Sequence, residues 1–226
     1  MATDVAKQIR KAARRKFTAE EKIRTLGKRA FSFTADVTKV EMVAELADMV
    51  MKDFLHIDIL VNTAGVVIRK AALELTSDEW HQIINVNTIG TFLCCQAVGK
   101  VMIAQKRGKI INMSSIRGVM GTPGGAAAYG ASKGAVDALT QTLALEWAQH
   151  IVHVNAIARS IVVTEMTKSM FDDPARAKAL TSKVPLGRLA EVEHIIGSAI
   201  FLASKASDYI TGQVIHVDGG MSAGIL

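Results

Sequence analysis

Lys109–Ile110–Ile111–Asn112–Met113–Ser114–Ser115 is a short apolar run that turns polar at its carboxyl end. Gly108 precedes it, and a glycine-rich loop with Gly118, Gly121, Gly124 and Gly125 follows. An apolar run of this length between turn formers reads as a buried strand. Working outward, the pattern repeats. Upstream, Ile57–Asp58–Ile59–Leu60–Val61 ends in Asn62–Thr63–Ala64–Gly65; downstream come His153–Val154–Asn155–Ala156–Ile157–Ala158 and a last run, Gln213–Val217, closing at Asp218–Gly219–Gly220. Helical stretches fill the intervals. Thr76–Ser77–Asp78–Glu79 has the capping-box pattern and opens a helix through Phe92, Val98 and Met102, stopped at Gly108. Others span about Ala127 to Gln149 and 191–203. Near-continuous apolar strands alternating with helices predict a parallel sheet covered on both faces, a three-layer α/β fold. Functional residues in such folds collect at or just beyond strand carboxyl ends, where Asn62, Ser115 and Thr164 lie.

Toward the amino end, Ala30–Ala35 alternates and suits a strand. Thr38 is a candidate N-cap for a helix from Lys39 to about Phe54, with Val40, Val43, Leu46, Ala47 and Val50 on one face. Residues 4–26 read as helix up to Gly27. The stretch 160–189 is looser, contains a helical piece and suits a lid or substrate loop. No repeat or low-complexity linker interrupts the chain, so 1–226 is expected to be one domain, with 1–29 as a basic helical arm.

Half of the 226 residues are hydrophobic, enough for a large core. Residues 1–29 hold ten of the 27 Lys and Arg and three of the 21 acids, so that arm carries +7 of the net +6 and the body is −1. No nucleic-acid motif accompanies the arm, and the ordinary role of such charges is a solvated helix face. No run of eighteen apolar residues predicts a membrane span, and the first residues lack the apolar stretch of a secretory signal. Cys94 and Cys95 are adjacent in an apolar helical stretch, which suits core packing in a reducing compartment and predicts a cytoplasmic protein. The histidines are scattered, with no carboxylate or thiol to complete a metal site.

The chemistry is expected at Ser115, Tyr129 and Lys133, with Asn87 upstream. Tyr129 and Lys133 are four apart and share a helix face. A phenol is a poor base at neutral pH, and a cation beside it favours the phenolate. Ser115 can then hydrogen-bond a substrate oxygen whose charge is changing. Ser114 is the alternative serine.

With those residues stand Ala35–Asp36–Val37–Thr38, Asn62–Thr63–Ala64–Gly65, Asn85–Val86–Asn87–Thr88–Ile89–Gly90, Tyr129–Gly130–Ala131–Ser132–Lys133, Pro185–Leu186–Gly187–Arg188, Thr211–Gly212–Gln213 and Asp218–Gly219–Gly220. In this order they resemble the motifs of the short-chain dehydrogenase/reductase family, from about Arg24 to Gly220. The resemblance implies a Rossmann-like doubly wound parallel sheet and an NAD(P)-dependent oxidoreductase interconverting an alcohol and a carbonyl. It makes Tyr129 the general acid/base. Lys133 would lower the tyrosine's proton affinity and hold the nicotinamide ribose, Ser115 would orient the substrate, and Asn87 would anchor a water in a proton relay. Asp36 and Val37 fall at the adenine-contacting turn. Asn62, Ala64, Gly65 and Thr164, with Tyr129 and Lys133, complete the implied cofactor contacts. Subunits of the family pair through long helices, which implies a homo-dimer or tetramer with no nucleic-acid or membrane partner.

Two departures stand out. The family opens with a strand, a Gly-x-x-x-Gly-x-Gly loop, a helix and a second strand, whereas the first glycine here is Gly27; the sheet is expected to be incomplete there, with Ile57–Val61 as an apolar edge. Residues 1–13 resemble nothing in the family. Arg159–Ser160 stands where the family has Pro-Gly. NADP or NAD both fit, and Arg14–Arg15, near the end of the second strand, lean toward NADP. Arg69–Lys70–Ala71–Ala72 and Met113–Ser114–Ser115–Ile116–Arg117–Gly118 most resemble sugar-acid dehydrogenases, with 3-oxoacyl-carrier-protein reductases second. Arg69 and Arg117 are candidates to meet a substrate carboxylate. The alternative is a catalytically impaired relative that serves as an assembly partner, and a minor one makes the arm a targeting address.

Overall fold

The computed structural model describes residues 30–164, 167 and 171–224. The helix expected over 4–26, the basic arm and Arg14–Arg15 lie outside the described residues. The chain divides into two units, 1–35 and 36–226. In the first, residues 30–35 belong to no helix or strand, which corrects the expectation for Ala30–Ala35. Alternation is a side-chain pattern and does not by itself make a strand.

The second unit begins with a turn in which the Asp36 carboxylate accepts from the Thr38 backbone N–H (2.9 Å) and hydroxyl (2.8 Å). Those two bonds hold the exposed Asp36 carboxyl below its usual range. The helix that follows, α1 (Val40–Phe54), therefore has Lys39 rather than Thr38 at its N-cap position, without a side-chain cap. Val43 and Ala47 are its buried face.

Strand β1 (Ile59–Asn62) leads to α2 (Ser77–Ile84), which runs through a π-helical turn (Asn85–Ile89) into α3 (Gly90–Gln105). The capping box at Thr76 and Glu79 forms as the sequence predicts. Then follow β2 (Gly108–Ser115), a 3₁₀ turn (Ile116–Gly118), α4 (Ala127–Trp147) and β3 (Val152–Arg159). Last come α5 (Pro174–Thr181), which falls in the expected loop region, α6 (Val192–Ala203) and β4 (Val214–Val217).

The four described strands are parallel and lie in the order β1-β2-β3-β4. Ile110 packs with Cys95, Val98 and Met102 of α3 and Leu143 and Ala144 of α4, while Ile111 packs with Leu202 of α6. Consecutive residues of one strand thus serve opposite faces, and helices cover both. By length and composition the helical stretch Ser77–Gln105 would suffice to cross a membrane. In the fold its apolar side chains Leu93, Cys94, Cys95, Val98 and Met102 are buried in the protein's own core. Among the described strands β1 is an edge, with Ile59 and Val61 exposed, as the sequence predicts.

Candidate active site

Strands β1, β2 and β3 deliver Asn62, Ser115 and Arg159 to the same rim of the sheet. Ser115 is in register with Arg159, and Asn62 with Asn112. Helix α4 begins over this rim and brings Tyr129, Ser132 and Lys133 to it.

Asn87 is the joint of the site. It is fully buried in the π-helical turn, where the Gly90 N–H reaches back to the Asn85 carbonyl. Its Oδ1 accepts from the Val66 N–H (2.8 Å), and its Nδ2 donates to the Val66 carbonyl (2.9 Å) and to the Ser132 hydroxyl (3.0 Å). Ser132 in turn donates to the Tyr129 carbonyl (2.7 Å). One amide thereby ties the loop after β1 to the first turn of α4. The sequence reading quoted Ser132 inside the Tyr129–Lys133 run but gave it no part in the site. The Thr91 hydroxyl donates to the Asn87 carbonyl (2.7 Å).

Gly65 lies against the same joint. A Cβ there would sit 3.3 Å from Asn87 Oδ1 and 3.8 Å from Lys133 Nζ. Gly90 has a similar reason: a Cβ would come within 2.6 Å of Val37, so the Asp36–Val37 turn packs directly on the start of α3.

Lys133 is 5% exposed, and its ammonium donates to the Met113 carbonyl (2.6 Å) and stands 5.9 Å from the centre of the Tyr129 ring. Burial brings its pKa down from the ordinary 10.5 to about 8; the Arg159 guanidinium adds to this and Asp137 opposes it. Of the two serines, buried Ser114 turns toward α4 and donates to the Lys133 carbonyl (3.4 Å). Ser115 caps the 3₁₀ turn, accepting from the Arg117 N–H (3.2 Å), and its own hydrogen reaches the Arg159 carbonyl at 3.4 Å. Asn62 donates to Asn112 Oδ1 (2.9 Å) and Cys95 Sγ (3.3 Å), and Asn112 passes the chain on to Thr140 (3.0 Å). This buried asparagine chain was also invisible in the sequence.

A cleft of about 430 Å³ is lined by Ala71, Ala72, Arg117, Met120, Pro123 and Gly130 among others. Burial, with the Arg69 guanidinium nearby, lowers the proton affinity of Arg117, and Tyr129 acts in the opposite sense. The loop carrying Arg69 is docked by a bond from the Lys70 N–H to the Gly125 carbonyl (3.0 Å) and an ion pair between Lys70 and Glu79.

The structure thus brings together Asn87, Gly65, Ser132, Tyr129 and Lys133, with Ser115 on the adjoining strand end. In the loop after β3, the Thr164 N–H and hydroxyl both bond to the Thr167 hydroxyl (2.8 and 3.1 Å). Among the described residues no cluster of His, Cys, Asp or Glu could hold a metal ion.

A family model described as enoyl-(acyl carrier protein) reductase matches residues 3–222, which carries the similarity through most of the first 13 residues as well. A 2-dehydro-3-deoxy-D-gluconate 5-dehydrogenase of Escherichia coli is 40% identical over 207 residues, covering 90% of this chain and 80% of the relative. A 3-oxoacyl-[acyl-carrier-protein] reductase of Staphylococcus epidermidis is 39% identical over 201 residues, covering 89% and 81%. The structure of a gluconate 5-dehydrogenase from Burkholderia cenocepacia in complex with NADP and tartrate superposes with a TM-score of 0.87 at 36% identity, covering 91% of this chain and 80% of that one. The motifs, the sheet and these similarities agree: the chain belongs to the short-chain dehydrogenase/reductase family, NAD(P)-dependent oxidoreductases that interconvert alcohols and carbonyls.

Proposed function

We propose that Ser115, Tyr129 and Lys133, positioned by Asn87, interconvert a ketone and an alcohol on a small carboxylate-bearing substrate of the sugar-acid type. The observation that carries this reading is the buried Lys133 ammonium beside the Tyr129 ring. A cation beside a phenol favours the charged oxygen that proton transfer leaves behind. In carbonyl reduction Tyr129 donates its proton to the substrate oxygen, and in alcohol oxidation it takes that proton back. Ser115, whose hydroxyl is only weakly engaged, orients that oxygen by hydrogen bonding. Both Asn87 Nδ2 hydrogens are used internally, so the acceptor left for a relay water is its carbonyl.

The residues present fit the nicotinamide half of NAD(P). Gly65 leaves room beside Asn87 and Lys133, and the Lys133 ammonium can turn from the Met113 carbonyl to a ribose hydroxyl. When bound, the cofactor supplies or accepts the hydride. Asp36, Val37, Asn62, Ala64 and Gly65 are the further contacts we assign to it, with Thr164 reaching it from the loop after β3. Among the described residues none forms a glycine loop for the pyrophosphate. We lean toward NADP, which the similar Burkholderia enzyme holds.

Arg117 lines the cleft, the Arg69 guanidinium acts on it, and neither has an ion-pair partner among the described residues, which favours an anionic substrate. The exposed apolar residues Phe92, Leu145, Ile196 and Ile200 on α3, α4 and α6 support a homo-oligomer. Cys94 and Cys95, buried and unbridged, support a cytoplasmic location.

The test is turnover of 5-keto-D-gluconate and 2-dehydro-3-deoxy-D-gluconate against an acetoacetyl thioester, with NADPH and NADH, alongside fluorescence titration of each cofactor. Activity on the sugar acids that falls about 100-fold or more in Tyr129→Phe is expected. Activity confined to the thioester would remove the substrate assignment, and undiminished turnover in Tyr129→Phe would remove the mechanism.

A further inference from the structure

Strand β3 is buried along its length except at His153 and at its last residue, Arg159, so a buried strand ends on a charge at the rim of the sheet. Arg159 is in register with Ser115 of β2 and with Val217 of β4. Paired residues of a ladder project to one face and adjacent strands lie about 4.8 Å apart, so the Arg159 side chain starts beside that of Ser115. The two residues also touch, the Ser115 hydroxyl donating to the Arg159 carbonyl at 3.4 Å. The guanidinium donates to the Ser160 carbonyl (3.3 Å) and has no carboxylate partner among the described residues. The acid next along β4, Asp218, is committed elsewhere: its carboxylate accepts from the N–H groups of Gly220 (2.9 Å) and Ser222 (2.8 Å).

We propose that Arg159 is a specificity-determining residue: its guanidinium takes a substrate carboxylate one or two carbons from the reacting carbon, so that short 2-oxo and 3-oxo acids, and the matching hydroxy acids, are the favoured substrates. The inference rests on the reading of Ser115 as the group that holds the reacting oxygen. A guanidinium at the end of a buried strand costs free energy while its donors stay unmatched, and a carboxylate matches its planar fork with two parallel bonds. Distance then decides which carboxylate it serves. A single strand spacing separates Arg159 from Ser115, so a group held by the one lies within a few bonds of an oxygen held by the other. The carboxylate of an extended six-carbon sugar acid that reacts at its far end overshoots that span and is left to Arg117 in the cleft. The same register favours a substrate carboxylate over a cofactor phosphate, because the residue beside Arg159 is the one that meets the substrate oxygen.

The test compares 3-hydroxybutyrate with its methyl ester, each added with NADPH, so that alcohol meets reduced cofactor and nothing turns over. In protein carrying ¹⁵N-labelled arginine, the Arg159 Nε resonance is identified by its loss in Arg159→Gln. It should shift saturably with the acid and stay in place with the ester. In turnover with NADPH, acetoacetate should be preferred to methyl acetoacetate by about 10-fold or more in kcat/KM. Arg159→Gln should erase that preference by raising KM for the acid more than for the ester, and Arg159→Lys should keep part of it. Arg159 is partly exposed at the end of its strand, so both variants should fold. A resonance that moves alike with acid and ester, or that moves with NADPH and no further with the acid, overturns the inference. Turnover without preference for the acid overturns it too and leaves the function proposed above standing. A shift specific to the acid in a chain without turnover supports the subsite and counts against that function.

Discussion

Asn87 shows how much one side chain can hold. Its amide satisfies both backbone groups of Val66 and a serine on another helix, all out of water. Asn87→Ala leaves those groups without partners and should cost about 2–4 kcal/mol, read from urea unfolding. Gly90 offers a second test. Gly→Ala in a helix ordinarily gains about 1 kcal/mol, but here the new Cβ would meet Val37 at 2.6 Å. Overpacking of that kind costs about 1–3 kcal/mol, so Gly90→Ala should be net destabilising, and adding Val37→Ala should recover most of the loss. Sequence motifs named Asn87, Ser115, Tyr129 and Lys133, because these residues stand in segments that resemble the family's in the same order. They gave no part to Ser132 or Asn112, whose parts depend on which atoms meet across elements 28 to 50 residues apart.

Elements were legible where local physics decides them. The capping box at Thr76 and Glu79 is such a case, and Thr76→Ala should lower stability by about 1 kcal/mol in thermal or chemical unfolding. The buried strands β2 and β3 were equally clear, since each is an apolar run between turn formers. Three features were not. Ala30–Ala35 alternates like a strand, yet pairing is not a property of one segment. The cap of α1 moved to Lys39 because Asp36 captured Thr38 first. The π turn over Asn85–Ile89 carries no composition signal, since a one-residue change of ladder costs little and is set by what Asn87 must reach.

At the scale of the whole molecule, the buried ammonium of Lys133 couples stability to pH. The unfolded chain keeps that proton up to the ordinary 10.5, whereas the folded chain releases it at about 8. Between those values the unfolded state binds more protons, so this residue's contribution makes stability rise with pH; below about 8 its full cost is present. Lys133→Met should therefore be more stable than the parent at pH 7 by on the order of 2 kcal/mol, the gap closing as pH approaches 10.5. Denaturant midpoints at the two pH values decide it; a gap that widens with pH would refute the assignment of Lys133 as a strained cation. The order of the described strands across the sheet is also their order along the chain. As the ribosome delivers β2, β3 and β4, each can dock on the exposed flank of the strand made just before it. No later strand has to be threaded between two earlier ones, so this part of the sheet can be assembled while the chain is still being translated.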